Sequence, residues 1–331
     1  MMNTSDSGSV LPICVKDLKA GDTILQYFLL KSKDLRKTRS GENYLDLALC
    51  DATGTISAKI WSDAMRKWGQ DFNPGDCVKV EGRVEFYRDR GQIIIDKIRA
   101  ADLSEVPDIE VLIRSSERDP DCLFEELKEI ARSLEPSDLA ALVGTVLERT
   151  ESAFKSYPAA KMVHHAYKGG LVEHVLAVTR KVETVMQLEN KVNRGIALAG
   201  AILHDIGKVL ELNASGQGRT LQGRLIGHVV LGVTLIRDIA AEQGNDGATW
   251  LPEIEHIVLS HHGELQFGAA VRPMTREAMM VHFMDNLDAK LKIIDEALES
   301  ADADGFAPYN RWLEGRPFSG SPVLPKEVND E

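Results

Sequence analysis

Seven imidazole and carboxylate side chains stand in order along the chain: His174, the adjacent pair His204-Asp205, His228, the adjacent pair His261-His262, and Asp285. Neutral imidazoles and carboxylates are the donors that a hard-to-borderline divalent cation takes, and seven are too many for one tetrahedral ion. Two cations side by side is the natural reading. Such a pair activates water and steadies negative charge on phosphate oxygens, the chemistry of metal-assisted ester hydrolysis.

The elements around these residues turn them inward. In GGLVEHVLAVTRKVETVM, Leu171, His174, Val175, Val178 and Val182 share one helix face. His204-Asp205 closes the apolar helix IALAGAILHDIGK, with Gly207 expected as its stop. A buried aspartate beside a buried histidine is costly unless something pairs with both, and a cation does so. His228 lies on an apolar stripe with Ile226, Val229 and Leu231, and His261-His262 end LPEIEHIVLSHHG one residue before Gly263. Asp285 follows Val281 by four residues, with Asp288 one turn further on the same face. Each alone reads as a hydrogen-bonded core residue, and His256 and His282 are left in that class. The joint pattern, with separate helices each delivering a donor inward, favours metal. Two further candidates flank the series. Lys208 sits one turn from Asp205, where its ammonium would neutralise a phosphate oxygen, the alternative being a solvated helix-end lysine. His164 and His165 precede the first ligand, and His165 is taken as a contact to substrate or leaving group.

The chain divides by periodicity. From Thr23 to Arg99, alternating runs (TILQYFLLK, YLDLALCD, TISAKIWS, DCVKVEGRVEFY, GQIIIDKIR) are broken by turn formers, with a helical DAMRKWGQ between the third and fourth. Five strands with a helix in that slot is the order of an OB-fold barrel. After residue 121 every apolar pattern has helical period: LFEELKEIARSL, then SDLAALVGTVLERTESAFKSY with Ser137 as N-cap, then helices near 170–189, 193–206, 223–243, 251–262 and 275–299. The expected architecture is a multidomain chain, an all-β barrel followed by an all-α bundle. Its divisions are an N-terminal extension (1–21), the barrel (22–101), a linker (102–121), the helical domain (122–300) and a tail (301–331) partly docked through Tyr309, Trp312 and Phe318.

Net charge is −12, which looks wrong for a nucleic-acid binder until it is divided: residues 22–99 carry +2 and the remainder −14. An acidic half suits polyanion chemistry only where bound cations reverse the local sign. Cys14, Cys50, Cys77 and Cys122 are widely spaced and read as reduced, mostly buried thiols. No stretch approaches the roughly 20 apolar residues of a membrane span, and the first residues lack an export signal. A cytoplasmic location without a membrane partner is expected.

An OB barrel binds oligomers across strands 2 and 3, bordered by the loops joining strands 1-2 and 4-5. The first loop is read as KSKDLRKTRSGEN, with Lys31, Lys33, Arg36, Lys37 and Arg39, and the second as FYRDRG, with Tyr87, Arg88 and Arg90. Lys59 and Trp61 alternate with Ile60 on strand 3 and share the opposite face. Cations that track phosphates and aromatics that stack bases are the two parts of sequence-tolerant single-strand binding. A solvated hairpin and a core tryptophan are the bland alternatives.

The order H, HD, distant D on a helical bundle resembles the HD superfamily of metal-dependent phosphohydrolases. By that resemblance His174, His204, Asp205 and Asp285 surround one ion, His228, His261 and His262 serve a second, and Asp205 bridges them; which of His261 and His262 binds metal and which orients substrate stays open. A barrel preceding GGLVEHVLAV, ILHDIGK, LSHHGE and MDNLDAK in that order is similar to the YhaM-type 3'-5' exoribonuclease family from about Thr23 to Phe318. Met284 departs from the small residue expected before the last aspartate. The resemblance implies two divalent ions, manganese first with cobalt, iron or magnesium as alternatives, and catalysis at Asp205. It also implies hydrolysis of single-stranded RNA, with single-stranded DNA as a further candidate, to nucleoside 5'-monophosphates. A phosphohydrolase of small or cyclic nucleotides and a non-catalytic single-strand-binding protein are the rival readings. Oligomeric state stays open, a homo-oligomer included.

Overall fold

The computed structural model describes residues 13–69, 71–87, 90–108, 111–112, 116, 118–159, 167–213, 218–299, 301–302 and 304–320. It falls into two compact units, Met1–Ser115 and Ser116–Glu331.

In the first unit, β1 (Thr23–Lys37), β2 (Asn43–Asp51), β3 (Gly54–Ile60), β4 (Cys77–Tyr87) and β5 (Arg90–Ala101) close in the order β1-β2-β3-β5-β4, with α1 (Ser62–Trp68) between β3 and β4. Strand periodicity explains the interior: Leu45, Leu47 and Leu49 of β2 face Ile56, Ala58 and Ile60 of β3, and Phe28, Phe72, Ile93, Ile95 and Ile98 complete the core. One expectation needs correction. Lys31, Lys33, Arg36 and Lys37 belong to β1 rather than to a loop, because a register shift between Leu30 and Ser32 lets β1 keep pairing with β2 as far as Lys37↔Asn43. The ladder depends on backbone groups alone, so charged side chains did not end it. The connection shrinks to residues 38–42 and carries Arg39.

The second unit is helical. Its elements are α2 (Pro120–Arg132), α3 (Ser137–Ser156), α4 (Gly170–Val185), α5 (Arg194–Leu203), α6 (Lys208–Glu211), α7 (Leu221–Leu225), α8 (His228–Glu242), α9 (Leu251–Ser260) and α10 (Arg276–Leu298). Every residue of α5 from Gly195 to Leu203 is buried, so this helix is the axis of the bundle. Asp119, Asn193, Thr220 and Thr275 cap α2, α5, α7 and α10 through their side chains. Ser137 is the first residue of α3 rather than its cap, which is Pro136. Met284 packs at the edge of the bundle core, which accommodates its size. In the tail, buried Ala307 and a Lys290 hydrogen bond to the Trp312 carbonyl make the docking contacts, while Tyr309, Trp312 and Phe318 are themselves exposed.

Two glycines shape the centre of the bundle. The helix expected over 223–243 is broken at Gly227, whose φ of 81° favours glycine, and His228 therefore opens α8. Gly207 is not a helix stop, since its φ is −64°. A Cβ there would lie 1.9 Å from the His228 carbonyl oxygen and 2.6 Å from the Gly232 nitrogen, so the absence of a side chain lets the HDIGK turn touch α8.

The cysteines differ from expectation: Cys77 is buried, Cys14 and Cys50 are half-buried, and Cys122 is exposed. Burial pushes the Cys77 thiol up to about 11, which keeps it protonated and inert near neutral pH. No described helix is long and apolar enough to cross a membrane.

Gly207→Ala should force α8 from the turn and destabilise the unit by at least about 1–3 kcal/mol, the usual cost of overpacking. Thermal unfolding measures it, and an unchanged midpoint would show that the close approach is slack.

Candidate metal centre and nucleic-acid face

The predicted ligands converge. His174 on α4, the turn residues His204 and Asp205, His228 at the start of α8, His261 and His262 just past α9, and Asp285 on α10 form one cluster. Asp205 lies between two groups of imidazoles. Its Oδ2 is 3.5 Å from His174 Nε2 and 3.4 Å from His204 Nε2, while its Oδ1 is 3.5 Å from His228 Nε2 and 3.6 Å from His261 Nε2. Asp285 Oδ1 joins the first group at 3.2 Å from His174 Nε2. The donor atoms of His174, His204 and Asp205 lie within 4.8 Å of one another, as do those of His228, His261 and His262.

These groups fit cations better than they fit one another. Among the described residues, Asp205 Oδ1, His228 Nε2, His261 Nε2 and His262 Nδ1 are buried without a hydrogen-bond partner. Buried polar atoms are rarely left so, and Asp205 Oδ1 with His228 Nε2 and His261 Nε2 3.5 and 3.6 Å away marks a spot that calls for an ion. The opposite ring nitrogens are satisfied: His204 Nδ1 donates to the Ala201 carbonyl and His261 Nδ1 to that of Val258. His174 Nδ1 donates to Asp288 Oδ2 at 2.7 Å, and His228 Nδ1 faces Glu211 Oε2 at 3.3 Å. These bonds aim the ligand nitrogens inward. The centre is not wholly sealed: His174, His204, Asp205 and His261 are almost fully covered, while the side chains of Asp285, His228 and Lys208 keep 17%, 13% and 13% of their surface exposed.

Electrostatics follow from burial and neighbours. Burial pushes the His261 and His262 imidazoles down, reinforced by neighbouring histidines, so both present neutral lone pairs. Burial opposes ionisation of Asp205, but Lys208 and His204 outweigh it and hold the carboxyl well below its usual range. His174 goes the other way. Burial would lower it, yet hydrogen bonds to Asp285 and Asp288 raise it to about 9, so a proton balances the acids and must leave when a cation enters.

On the barrel, Trp61 is 40% exposed and lies 5.1 Å from the Tyr44 ring, with the Lys59 ammonium 5.8 Å and 5.7 Å from the two centroids. Trp61 caps α1 just beyond β3 rather than extending the strand. Two expected phosphate contacts are engaged elsewhere. Lys33 donates to the Phe72 carbonyl at 2.9 Å and sits over its ring, and Arg36 pairs with Asp46 at 3.1 Å. Lys37 and Arg39 are exposed. Arg88, like His164 and His165 of the other unit, lies outside the described residues; Tyr87 and Arg90 pair at the ends of β4 and β5.

Residues 171–290 match the HD domain family, and residues 31–101 match an OB-fold nucleic acid binding domain. The 3'-5' exoribonuclease YhaM of Geobacillus sp. is 33% identical over 91% of this chain and 92% of its own length. That of Bacillus subtilis is 31% identical over 91% and 95%. The chain belongs to the YhaM 3'-5' exoribonuclease family. It is an HD-domain hydrolase that also carries an OB-fold domain. Among solved structures, a replication protein A domain from Methanococcus maripaludis aligns with 28% of this chain and 97% of its own, at 17% identity and TM-score 0.24.

Within this YhaM-family chain, three residues of the two sites escaped the sequence reading. Glu211 is a buried acid inside the apolar run KVLEL, which was its one signal. Asp288 was seen only as a neighbour on the Asp285 face. Tyr44 alternates with the buried leucines of β2 and so shares the outer surface with Lys59 and Trp61. Lys208 is neither solvated nor free, because its ammonium lies 2.6 Å from Asp205 Oδ2. His256 and His282 take the structural roles expected, accepting from the Met274 amide and donating to the His261 carbonyl.

In chelator-treated protein, the raised His174 adds stability that is complete below the unfolded value of about 6.5 and lost as pH rises through about 9. The depressed His261 and His262 add stability that is lost as pH falls through about 6.5 and below. Metal-free stability should therefore peak at about pH 6.5 and fall on both sides, and His174→Gln should remove the alkaline fall while leaving the acid one. Thermal midpoints across pH test this; an unaltered alkaline fall in the variant would contradict it.

Proposed function

We propose that the chain shortens single-stranded RNA from its 3' end, releasing nucleoside 5'-monophosphates, with two divalent cations at the HD cluster. Manganese is the first candidate, with cobalt, iron and magnesium as alternatives, and single-stranded DNA is a second substrate in this reading. The observation that carries it is the set of buried, unpartnered donor atoms about Asp205, whose two oxygens face two groups of histidines. His174, His204, Asp205 and Asp285 would hold one ion, and His228, His261 and His262 the other. When bound, the pair supplies an activated water and neutralises charge on the oxygens of the phosphodiester.

The chain's own groups do the rest. Lys208 is partly exposed beside Asp205, placed to turn its ammonium from that carboxylate to a phosphate oxygen. His165 remains a candidate contact to the leaving group. Residues 22–101 are assigned to strand binding and 122–300 to hydrolysis, with 102–121 as linker and 1–21 and 301–331 as flanks. Tyr44, Lys59 and Trp61 offer aromatic faces and a cation to bases and phosphates, joined by Lys37 and Arg39 and, in this reading, by Tyr87 and Arg88; Lys33 and Arg36 would join only on leaving Phe72 and Asp46. A cytoplasmic site of action belongs to the same proposal.

Asp205→Asn should lower mononucleotide release at least roughly 10³-fold, the scale of several kcal/mol of lost charge stabilisation. RNA retention by the barrel should survive. Incubation with 5'-labelled RNA and manganese reads the first quantity and filter binding the second; loss of both argues against this division of labour, and faster turnover of cyclic than of oligomeric nucleotides argues against the substrate. Trp61→Ala, alone or with Tyr44→Ala, should weaken long RNA by about 1–3 kcal/mol per stacked base and leave dinucleotide turnover nearly unchanged. Equal effects on both substrates would remove the barrel from the binding path.

A further inference from the structure

We infer that Glu211 and Asp288 are positioning residues, each fixing one histidine of one cation site, so that the two sites can be weakened one at a time. This deepens the two-cation reading above and rests on it. Four histidines of the cluster present Nε2 to the centre, and their Nδ1 partners fall into two kinds. His204 and His261 donate to backbone carbonyls one turn back in their own chain segment. His174 and His228 face carboxylates from elsewhere, Asp288 on α10 and Glu211 on α6. The division is even: His174 and His204 stand in the group with Asp205, and His228 and His261 in the group with His262.

Both acids are built in. Asp288 is 6% exposed and its other oxygen takes the Lys181 ammonium at 2.7 Å; Glu211 is 5% exposed and its other oxygen takes Arg219 at 3.2 Å. The Glu211 backbone is held as well, since its carbonyl accepts from the Thr220 amide at 2.9 Å and a Cβ on Gly223 would lie 2.2 Å from that oxygen. A carboxylate behind a ligating imidazole fixes the tautomer that leaves Nε2 bare and makes that nitrogen a stronger donor. A carbonyl does the first more than the second. Glu211 matters most for its own site, where the ligands are three imidazoles and negative charge comes from Asp205 Oδ1 and, through His228, from Glu211.

Manganese(II) alone is the probe, titrated into full-length metal-free protein against a fluorescent chelator, with bound metal counted after gel filtration. Wild type should take up two ions in two resolvable steps. Glu211→Gln should weaken one step roughly 10–100-fold and leave the other, Asp288→Asn should weaken the other step by a similar factor, and the double variant should weaken both. Turnover by Glu211→Gln should recover as manganese is raised. Glu255→Gln is the control, because Glu255 is an equally buried acid paired with Arg237 away from the cluster, and it should change neither step. Two ions in wild type with both affinities untouched in the variants would overturn the inference alone. So would a loss spread equally over both steps in each single variant, or an equal loss in Glu255→Gln. A single ion in wild type would overturn the two-cation reading and this inference with it.

Discussion

A carboxylate buried to 2% exposure at the junction of two imidazole groups is the feature on which the rest of the helical unit turns. An ionised aspartate loses several kcal/mol of hydration on burial unless each oxygen is matched. At Asp205 the match is half made. Oδ2 receives Lys208 at 2.6 Å, while Oδ1 has no hydrogen-bond partner among the described residues and shares its surroundings with two equally unmatched imidazole nitrogens, His228 Nε2 and His261 Nε2. As a structural ion pair this would be a poor solution, since an apolar core of the same volume would be at least as stable. As a ligand shell it is coherent, because one cation placed there would satisfy several deficits at once.

The two halves of the cluster are supported by different kinds of structure. His174 and Asp285 stand within long helices, α4 and α10, on faces set by core packing. His228, His261 and His262 stand at helix ends, where position depends on turns: the Gly227 conformation that lets α8 begin, the contact at Gly207 that draws α8 against the HDIGK turn, and His282 holding the His261 carbonyl. Helix ends fray more readily than helix middles. That difference explains why the His228 side of the centre has so many polar supports behind it.

What could be read from the chain follows the same line. His174, His204-Asp205, His228 and Asp285 were legible because each interrupts an apolar helical period, and a polar residue on a buried face asks for a reason. The barrel was legible because its strands alternate cleanly and its turns carry glycine, proline and aspartate. The charged end of β1 was not, because its pairing is made by backbone atoms that no side-chain pattern reports. Nor was the break at Gly227, since Ile226 and Val229 keep the apolar rhythm on both sides of it. Glu211, Asp288 and Tyr44 act through neighbours that are distant in sequence, 17 residues for Glu211 to His228 and 114 for Asp288 to His174. Such partners are chosen by packing, and Lys33 shows the converse, a cation that looked free for phosphate and is taken up by the Phe72 carbonyl and ring.

Charge gives the metal centre a second consequence. The sequence outside the barrel carries a net −14, and many of its acids are already matched, as Glu255 is by Arg237, Glu126 by Arg118 and Arg180, and Glu242 by Arg149. Around the cluster the partly exposed groups are one acid, Asp285, the ammonium of Lys208, and the imidazoles of His228 and His262. Without cations this is a weak place for a phosphate chain to settle, since Lys208 is spent on Asp205. Two divalent ions held there would outweigh the charge of Asp205 and Asp285, would free Lys208 from its pairing, and would turn the local field positive within an otherwise acidic unit. Metal loading would thus govern whether the strand end enters the centre at all, before any bond is broken. The acidity of the surrounding bundle would then become an asset, because it would discourage nucleic acid from resting anywhere on that unit except where cations are held.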